Sequence, residues 1–167
     1  PNEGGANVMS VTLRRIRTGE ILLFYLRKDT EKTSCNLYVR RSTDELDTLS
    51  SPTRVTLLDG YHVVNNDRVV ELPSGRLVVP AALHTDPETP GPYIDEAVCF
   101  AYYSDDAGRT WMKDATPITP LDKREKVFQE PGIVELPDGR LMMYIRTRHG
   151  AQYAAYSTDG GIHWTEA

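Results

Sequence analysis

Glu130 and Arg146 are the pair whose types and spacing first suggest chemistry. They bracket the segment Phe128-Gln129-Glu130-Pro131-Gly132-Ile133-Val134-Glu135-Leu136-Pro137-Asp138-Gly139-Arg140-Leu141-Met142-Met143-Tyr144-Ile145-Arg146-Thr147. Two apolar runs flank Asp138-Gly139, which reads as a β-hairpin. A two-residue loop there sets Pro131 opposite Arg146 and Glu130 opposite Thr147. Glu130 and Arg146 then meet at the open end of the hairpin. A guanidinium held by a neighbouring carboxylate is pre-set for bidentate contact with a second, incoming carboxylate. The plain alternative is a surface ion pair at a sheet edge, worth about 0–1 kcal/mol. Asn66, Asp67 and Arg68 stand at the corresponding entry to the preceding unit. Arg68 is a candidate substrate binder and Asp67 a candidate acid; a structural ion pair between units is the alternative for both.

The elements that position these residues repeat. Ser104-Asp105-Asp106-Ala107-Gly108-Arg109-Thr110-Trp111 recurs as Ser157-Thr158-Asp159-Gly160-Gly161-Ile162-His163-Trp164, with His163 in place of Thr. A worn copy is Ser42-Thr43-Asp44-Glu45-Leu46-Asp47-Thr48-Leu49, in which Gly and Trp have both become Leu. Each residue type suits a tight turn between antiparallel strands. Ser and Asp oxygens accept backbone N–H groups a few residues on, Gly108 and Gly161 allow positive φ, and Trp111 and Trp164 are expected to pack on the start of the next strand. The structural reading therefore outweighs Asp106 or Asp159 as a catalytic acid or metal ligand.

Ahead of each turn lies a hairpin: Ile16–Leu23 around Gly19, Leu72–Val79 around Gly75 and Leu136–Met143 around Gly139. The second unit reads as strands Val69–Leu72, Leu77–Leu83, Ala97–Ser104 and a short one from Thr110. The third reads as Ile133–Leu136, Leu141–Thr147, Gln152–Ser157 and one near His163. No segment has a helical period over ten residues. Four antiparallel strands repeated about every 50–60 residues predict an all-β protein built of β-propeller blades. The approximate blades are 8–56, 63–120 and 127–167. A two-sheet sandwich explains short strands but not a turn motif returning at one place in each unit.

Bulk properties narrow the classes. At 167 residues one domain is the default, and a 40% hydrophobic fraction with two Trp, nine Tyr and three Phe suffices for a core. The net charge of −5 with dispersed basic residues argues against a nucleic-acid surface. No apolar run approaches the roughly 20 residues needed to span a membrane. The start, Pro1-Asn2-Glu3-Gly4-Gly5-Ala6-Asn7, does not look like a signal peptide. Cys35 and Cys99 read as buried thiols rather than a disulfide between units. His62, His84, His149 and His163 are scattered, and neither a metal site nor a cofactor is expected. Glu3, Arg27, Tyr93, Asp95 and His84 are weaker candidates for a site, each more simply a loop or strand-end residue. The Pro-rich stretch from Thr85 to Pro92 reads as an irregular loop.

With these motifs in view, the chain resembles the sialidase (neuraminidase) superfamily, specifically bacterial sialidase-like proteins with Asp-box repeats. The stretch 128–147 is similar to the sialidase hairpin in which a Glu begins one strand and an Arg ends the next, and 65–77 also looks like this family. The resemblance implies a six-bladed propeller with a pocket on its axis, and release of terminal sialic acid with retention. It implies a Tyr nucleophile assisted by a Glu, an Asp acid/base and three Arg that bind the substrate carboxylate, an exception to the two-carboxylate scheme. Glu130 matches the assisting Glu and Arg146 one of the three Arg. The other groups of that set belong to blades outside these three, so the chain looks like about half of a propeller and is expected to be inactive alone. The resemblance also implies a glycan substrate, a sialoglycoconjugate, and a secreted or periplasmic protein. Other expectations stay open: a non-catalytic glycan- or protein-binding propeller, and self-association through unpaired blade faces.

Overall fold

The computed structural model describes residues 3, 5–85, 92–119, 127–148 and 150–167. The interior of the Pro-rich stretch and His149 lie outside the described residues. Twelve strands are formed among the described residues: β1 (Asn7–Arg15), β2 (Ile21–Lys28), β3 (Cys35–Ser42), β4 (Thr53–Arg54), β5 (His62–Val63), β6 (Val70–Glu71), β7 (Leu77–Leu83), β8 (Val98–Ser104), β9 (Met112–Lys113), β10 (Gln129–Glu135), β11 (Leu141–Arg146) and β12 (Tyr153–Ser157). They form three antiparallel sheets in chain order. The first is β1-β2-β3-β4, the second β5-β7-β8-β9 with β6 also on β7, and the third β10-β11-β12. The protein is all-β and its sheets are propeller blades.

Two cores fill the two gaps between three blades. Leu22, Phe24, Leu26, Leu37 and Val39 of the first blade meet Leu77, Val79, Ala81, Leu83, Phe100 and Tyr102 of the second. Val78, Ala82, Cys99 and Ala101 of the second meet Ile133, Leu141, Met143 and Ile145 of the third. The middle blade is covered on both faces, so every residue of β7 is buried. That is why Leu77–Leu83 is apolar without alternation, whereas β11 alternates between buried and less buried positions. Cys35 and Cys99 are buried free thiols.

The three Ser-Asp turns share one hydrogen-bond scheme. The Ser hydroxyl donates to the Asp, Ser42 to Asp44 at 2.7 Å, Ser104 to Asp106 at 2.8 Å and Ser157 to Asp159 at 2.9 Å. The same Ser oxygen accepts from a backbone N–H four residues on, at Leu46, Gly108 and Gly161. The worn copy keeps the backbone: Glu45 and Leu46 take φ of 56° and 75°, like Ala107 and Gly108 at 59° and 79°. Trp111 also reaches beyond its own blade. It meets Phe24 of the first blade edge-on at 5.9 Å, so the tryptophan seals the gap between blades.

Two expectations are corrected. The loop of the third hairpin has three residues, not two: Gly139 N–H donates to the Leu136 carbonyl at 2.9 Å and Leu136 N–H to the Arg140 carbonyl at 2.7 Å. Gly139 takes φ of 83°, the left-handed residue that closes such a loop. Among the described residues no fourth strand forms near His163; the chain runs beside β12, with Thr165 N–H donating to the Tyr156 carbonyl and Tyr156 N–H to Thr165 Oγ1, each at 3.0 Å.

Candidate functional site

The first strand of each blade is disrupted at the same place. Ser10 and Glu130, each nine residues ahead of its turn glycine, are left-handed with φ of 56° and 51°. Asp67, eight ahead of Gly75, has φ of 55°. In β1 the register with β2 slips between Met9 and Thr12. In β10 it slips between Gln129 and Gly132. In the second blade the break widens, separating β5 from β6. A bulge re-aims a side chain out of the strand's alternation, and a non-glycine at positive φ costs of order 1–3 kcal/mol that surrounding structure must offset.

Because of the three-residue loop and that bulge together, the expected facing pairs do not occur. Gln129, not Pro131, stands opposite Arg146, and Gly132 stands opposite Tyr144. Glu130 and Arg146 meet all the same. Arg146 donates from Nη1 to Glu130 Oε1 at 2.8 Å, with both side chains about half exposed. They lie at the end of the sheet opposite the hairpin loop and the Ser-Asp turn, since Leu141 pairs with both Glu135 and Ser157.

Asp67 and Arg68 do join blades, but not through the expected ion pair. Asp67 N–H donates to Thr12 Oγ1 of the first blade at 2.7 Å. The Arg68 guanidinium lies 5.7 Å from the centre of the Tyr144 ring of the third blade. Its Nε is buried and has no hydrogen-bond partner among the described residues. Tyr144 reaches Arg68 by crossing β10 at Gly132, where a Cβ would stand 2.2 Å from the ring. Thr12, Asp67, Arg68, Gly132 and Tyr144 thus tie the first strands of all three blades together beside the Glu130–Arg146 pair. Tyr144, Gly132 and Thr12 were not singled out from the sequence. The glycine directly after Glu130-Pro131 was the available signal, because an interior strand glycine marks a bulge or a close approach.

The weaker candidates go elsewhere. Glu3 receives hydrogen bonds from the Tyr25 hydroxyl and, at 2.6 Å, from Arg40. Burial first, then the Glu3 carboxylate, raises the Tyr25 phenol above its ordinary range, which is the opposite of an activated nucleophile. Arg27 pairs with Asp29 at 3.1 Å and covers Tyr38. Tyr93 stacks on His84 at 4.8 Å, and Asp95 pairs with Arg148 at 3.4 Å. In the Ser-Asp turns, the Thr48 hydroxyl first, then Ser42, holds Asp44 down at about 2. Burial works to raise Asp106, but bonds from Thr110, Ser104 and Arg109 outweigh it and leave about 2. These carboxylates are spent on their own turns. Among the described residues no group of three or more His, Cys, Asp or Glu is placed to hold a metal.

Comparison with known proteins bears on this arrangement. A family model described as a BNR repeat-like domain matches residues 4–167. No curated protein matches the sequence. Among solved structures, the chain is similar to a protein of unknown function from Dyadobacter fermentans, with 22% identity, TM-score 0.70, and 96% of this chain over 50% of that one. It is similar to the Hadza microbial sialidase Hz136, with 20% identity, TM-score 0.72, and 96% of this chain over 33% of that one. It is also similar to Trypanosoma rangeli sialidase bound to 2,3-difluorosialic acid as a covalent intermediate, with 17% identity, TM-score 0.63, and 96% of this chain over 28% of that one. The chain therefore spans half or less of the length of these relatives. With a family model matched over nearly every residue, the chain belongs to the BNR repeat-like domain family, and its blades have the sialidase propeller fold.

Proposed function

We propose that the chain is part of the catalytic propeller of a sialidase-type glycoside hydrolase that releases terminal sialic acid with retention. The observation that carries this reading is the Glu130–Arg146 contact of 2.8 Å, made at a bulge that holds Glu130 left-handed. In this reading Glu130 takes the proton of a phenol nucleophile supplied by another blade. Arg146 binds the sugar carboxylate, and Arg68, whose guanidinium has no hydrogen bond or ion pair among the described residues, adds a second cation from the neighbouring blade. Asp67 is the acidic group nearest this cluster in sequence. Sets of groups that act as a unit lose activity non-additively when some are absent, so these three blades alone are expected to be inactive.

The second reading is a non-catalytic propeller that binds a glycan or a protein. It is favoured by one observation: the only tyrosine hydroxyl bonded to a glutamate among the described residues is Tyr25 on Glu3, whose phenol is shifted upward.

The test is turnover of a fluorogenic sialoside by this chain and by the full-length protein that contains it, each also as Glu130→Ala and Arg146→Ala. An active full-length protein that loses about 100-fold or more in each variant supports the hydrolase. A full-length protein that turns over no sialoside yet binds sialylated glycan supports the binding reading. Easily measured turnover by the 167-residue chain alone contradicts the view that blades outside it complete the site.

A further inference from the structure

Tyr144 stands on the face of β11 turned away from the second blade, yet its ring meets a residue of that blade. Leu141, Met143 and Ile145 pack against the second blade, so strand alternation turns Met142 and Tyr144 the other way. The two residues that face Tyr144 across the sheet are Gly132 in β10 and Ala154 in β12. Such small neighbours let the ring lie along the sheet instead of standing up from it. On the β10 side there is no side chain at all, and a Cβ there would overlap the ring and its hydroxyl. The ring therefore crosses the first strand of its own blade and comes to 5.7 Å from the Arg68 guanidinium. That is inside the roughly 6 Å over which a cation is drawn to an aromatic ring.

Arg146 and Arg68 are held in different ways. Arg146 gives Nη1 to the Glu130 carboxylate at 2.8 Å, which offsets its charge and occupies one donor. Arg68 has a buried Nε with no hydrogen-bond partner among the described residues, and its contact is the Tyr144 ring. A ring attracts a guanidinium through its quadrupole and takes none of the donors in the guanidinium plane. The Nη donors of Arg68 are thus kept, and its charge is not cancelled by the group that holds it. The root of the same arm is fixed from the other side. Asp67, the preceding residue, is left-handed at φ 55° and gives its N–H to Thr12 Oγ1 at 2.7 Å. The first blade sets where Arg68 starts, and the third blade sets where it ends.

We propose that Tyr144 is a positioning residue that sets the Arg68 guanidinium for a sugar carboxylate, with Gly132 giving the ring its passage. The identity of the ligand rests on the hydrolase reading above; the ring contact does not. Glu130 sets Arg146 by charge and Tyr144 sets Arg68 by its ring, so of the two it is Arg68 that brings an uncompensated charge to the ligand. A freely rotating arginine has to be ordered as the carboxylate arrives. One held against a ring is ordered beforehand, and that ordering no longer weakens binding. The aromatic ring is what the site needs at residue 144, so phenylalanine replaces tyrosine and an aliphatic side chain does not.

Two measurements test this. On the 167-residue chain, ¹H–¹⁵N spectra record the arginine Nε–H signals, with that of Arg68 identified by its loss in Arg68→Lys. Tyr144→Phe leaves the Arg68 signal in place, whereas Tyr144→Leu moves it and speeds its exchange with water by about tenfold or more. On the full-length protein with a fluorogenic sialoside, Tyr144→Phe keeps kcat/KM within about threefold of wild type, and Tyr144→Leu lowers it about tenfold, mostly through KM. In an Arg68→Ala background the same Tyr144→Leu change costs less than about twofold, because the ring acts only through the arginine. Circular dichroism establishes that each variant is folded. An Arg68 signal that ignores Tyr144→Leu overturns the proposal, as does a Tyr144→Phe chain that behaves like Tyr144→Leu. So do losses in kcat/KM that multiply fully in the double variant, the result that a tyrosine needed only for packing would give. A full-length protein with no sialoside turnover fails the hydrolase reading instead, and the spectra alone then decide whether Tyr144 holds Arg68.

Discussion

His163 Nδ1 lies 2.7 Å from Asp159 Oδ2, in the place that the hydroxyls of Thr110 and Thr48 fill against Asp106 and Asp44, each at 2.6 Å. The Asp is therefore the invariant of the turn, and its partner is any short donor four residues on. Each Asp also accepts the backbone N–H of that residue, from Thr48, Thr110 and His163 at 3.0, 2.8 and 3.0 Å. Removing the carboxylate leaves several donors unpaired at once. Asp106→Ala and Asp159→Ala are each expected to cost about 1–3 kcal/mol, while His163→Thr changes stability by less than about 0.5 kcal/mol. Urea unfolding of the three variants measures this; equal losses in all three would show that the imidazole is not interchangeable with the hydroxyl.

Asp114 stands apart from these turn carboxylates. Its side chain is fully buried, accepts the Ala101 N–H at 2.8 Å and sits 3.4 Å from Lys113 Nζ. Burial dominates and raises it to about 7, against the opposing pull of the Ala101 N–H and Lys113. An acid raised in the folded state is protonated there while the unfolded chain has already released its proton. Stability from this group is therefore highest below about pH 4, falls as pH rises toward 7, and is flat above. The fall is of order 2–4 kcal/mol. Asp114→Asn keeps an acceptor for Ala101 and is expected to remove that slope. Unfolding free energies at pH 4, 5.5, 7 and 8.5 for both chains decide it, and parallel curves would sink the assignment.

The fold was legible because its signals are local. Alternating apolar residues, a glycine turn and Ser-x-Asp recur within each blade, and none depends on a distant partner. Gly139 fixed the existence of the hairpin, but the Leu136-Pro137-Asp138-Gly139 turn is a three-residue loop, and the bulge at Glu130 then slips the register once more. The proximity of Glu130 and Arg146 survived both errors because Glu130 stays one position from whichever residue faces Arg146, first Pro131 and then Gln129. What sequence could not reach were the contacts between blades. Asp67 with Thr12 and Arg68 with Tyr144 span 55 and 76 positions, and no periodicity encodes them. Asp114 looks like any polar residue after a turn until the fold buries its side chain.

Gly132 gives the second-nearest handle on the candidate site. The Tyr144 ring occupies the space of the missing Cβ, 2.2 Å away, and the Arg68 guanidinium lies 5.7 Å from its centre. Gly132→Ala must displace the ring, with an overpacking cost of about 1–3 kcal/mol, and release Arg68. Tyr144→Ala should cost a similar amount. The double variant should be destabilised by less than the two single changes combined, because the added methyl group no longer meets a ring, giving a coupling of about 1 kcal/mol or more. Urea unfolding of the four chains completes the cycle, and strict additivity would mean the ring does not lie over Gly132 in solution.

His62 makes the last test, because it joins the first two blades through a fully buried chain. Its Nδ1 lies 3.3 Å from the Cys35 carbonyl and its Nε2 3.1 Å from the Tyr102 hydroxyl. A carbonyl only accepts, so Nδ1 carries the proton and Nε2 accepts from Tyr102. Burial above all lowers His62 to about 3, while the Cys35 carbonyl pulls the other way. A histidine depressed in the folded state stabilises the protein above the ordinary imidazole range, and that stability is lost as pH falls from about 6.5 toward 3. Two-dimensional ¹H–¹⁵N spectra should therefore show one imidazole fixed as the Nδ1–H tautomer, unchanged between pH 5 and 8, while an exposed imidazole titrates. Tyr102→Phe strands the buried Nε2 and is expected to cost about 1–3 kcal/mol, without making His62 titrate in that window. A His62 signal that moves with pH near 6.5 in the wild-type chain would show that the seam between the first two blades is open to water.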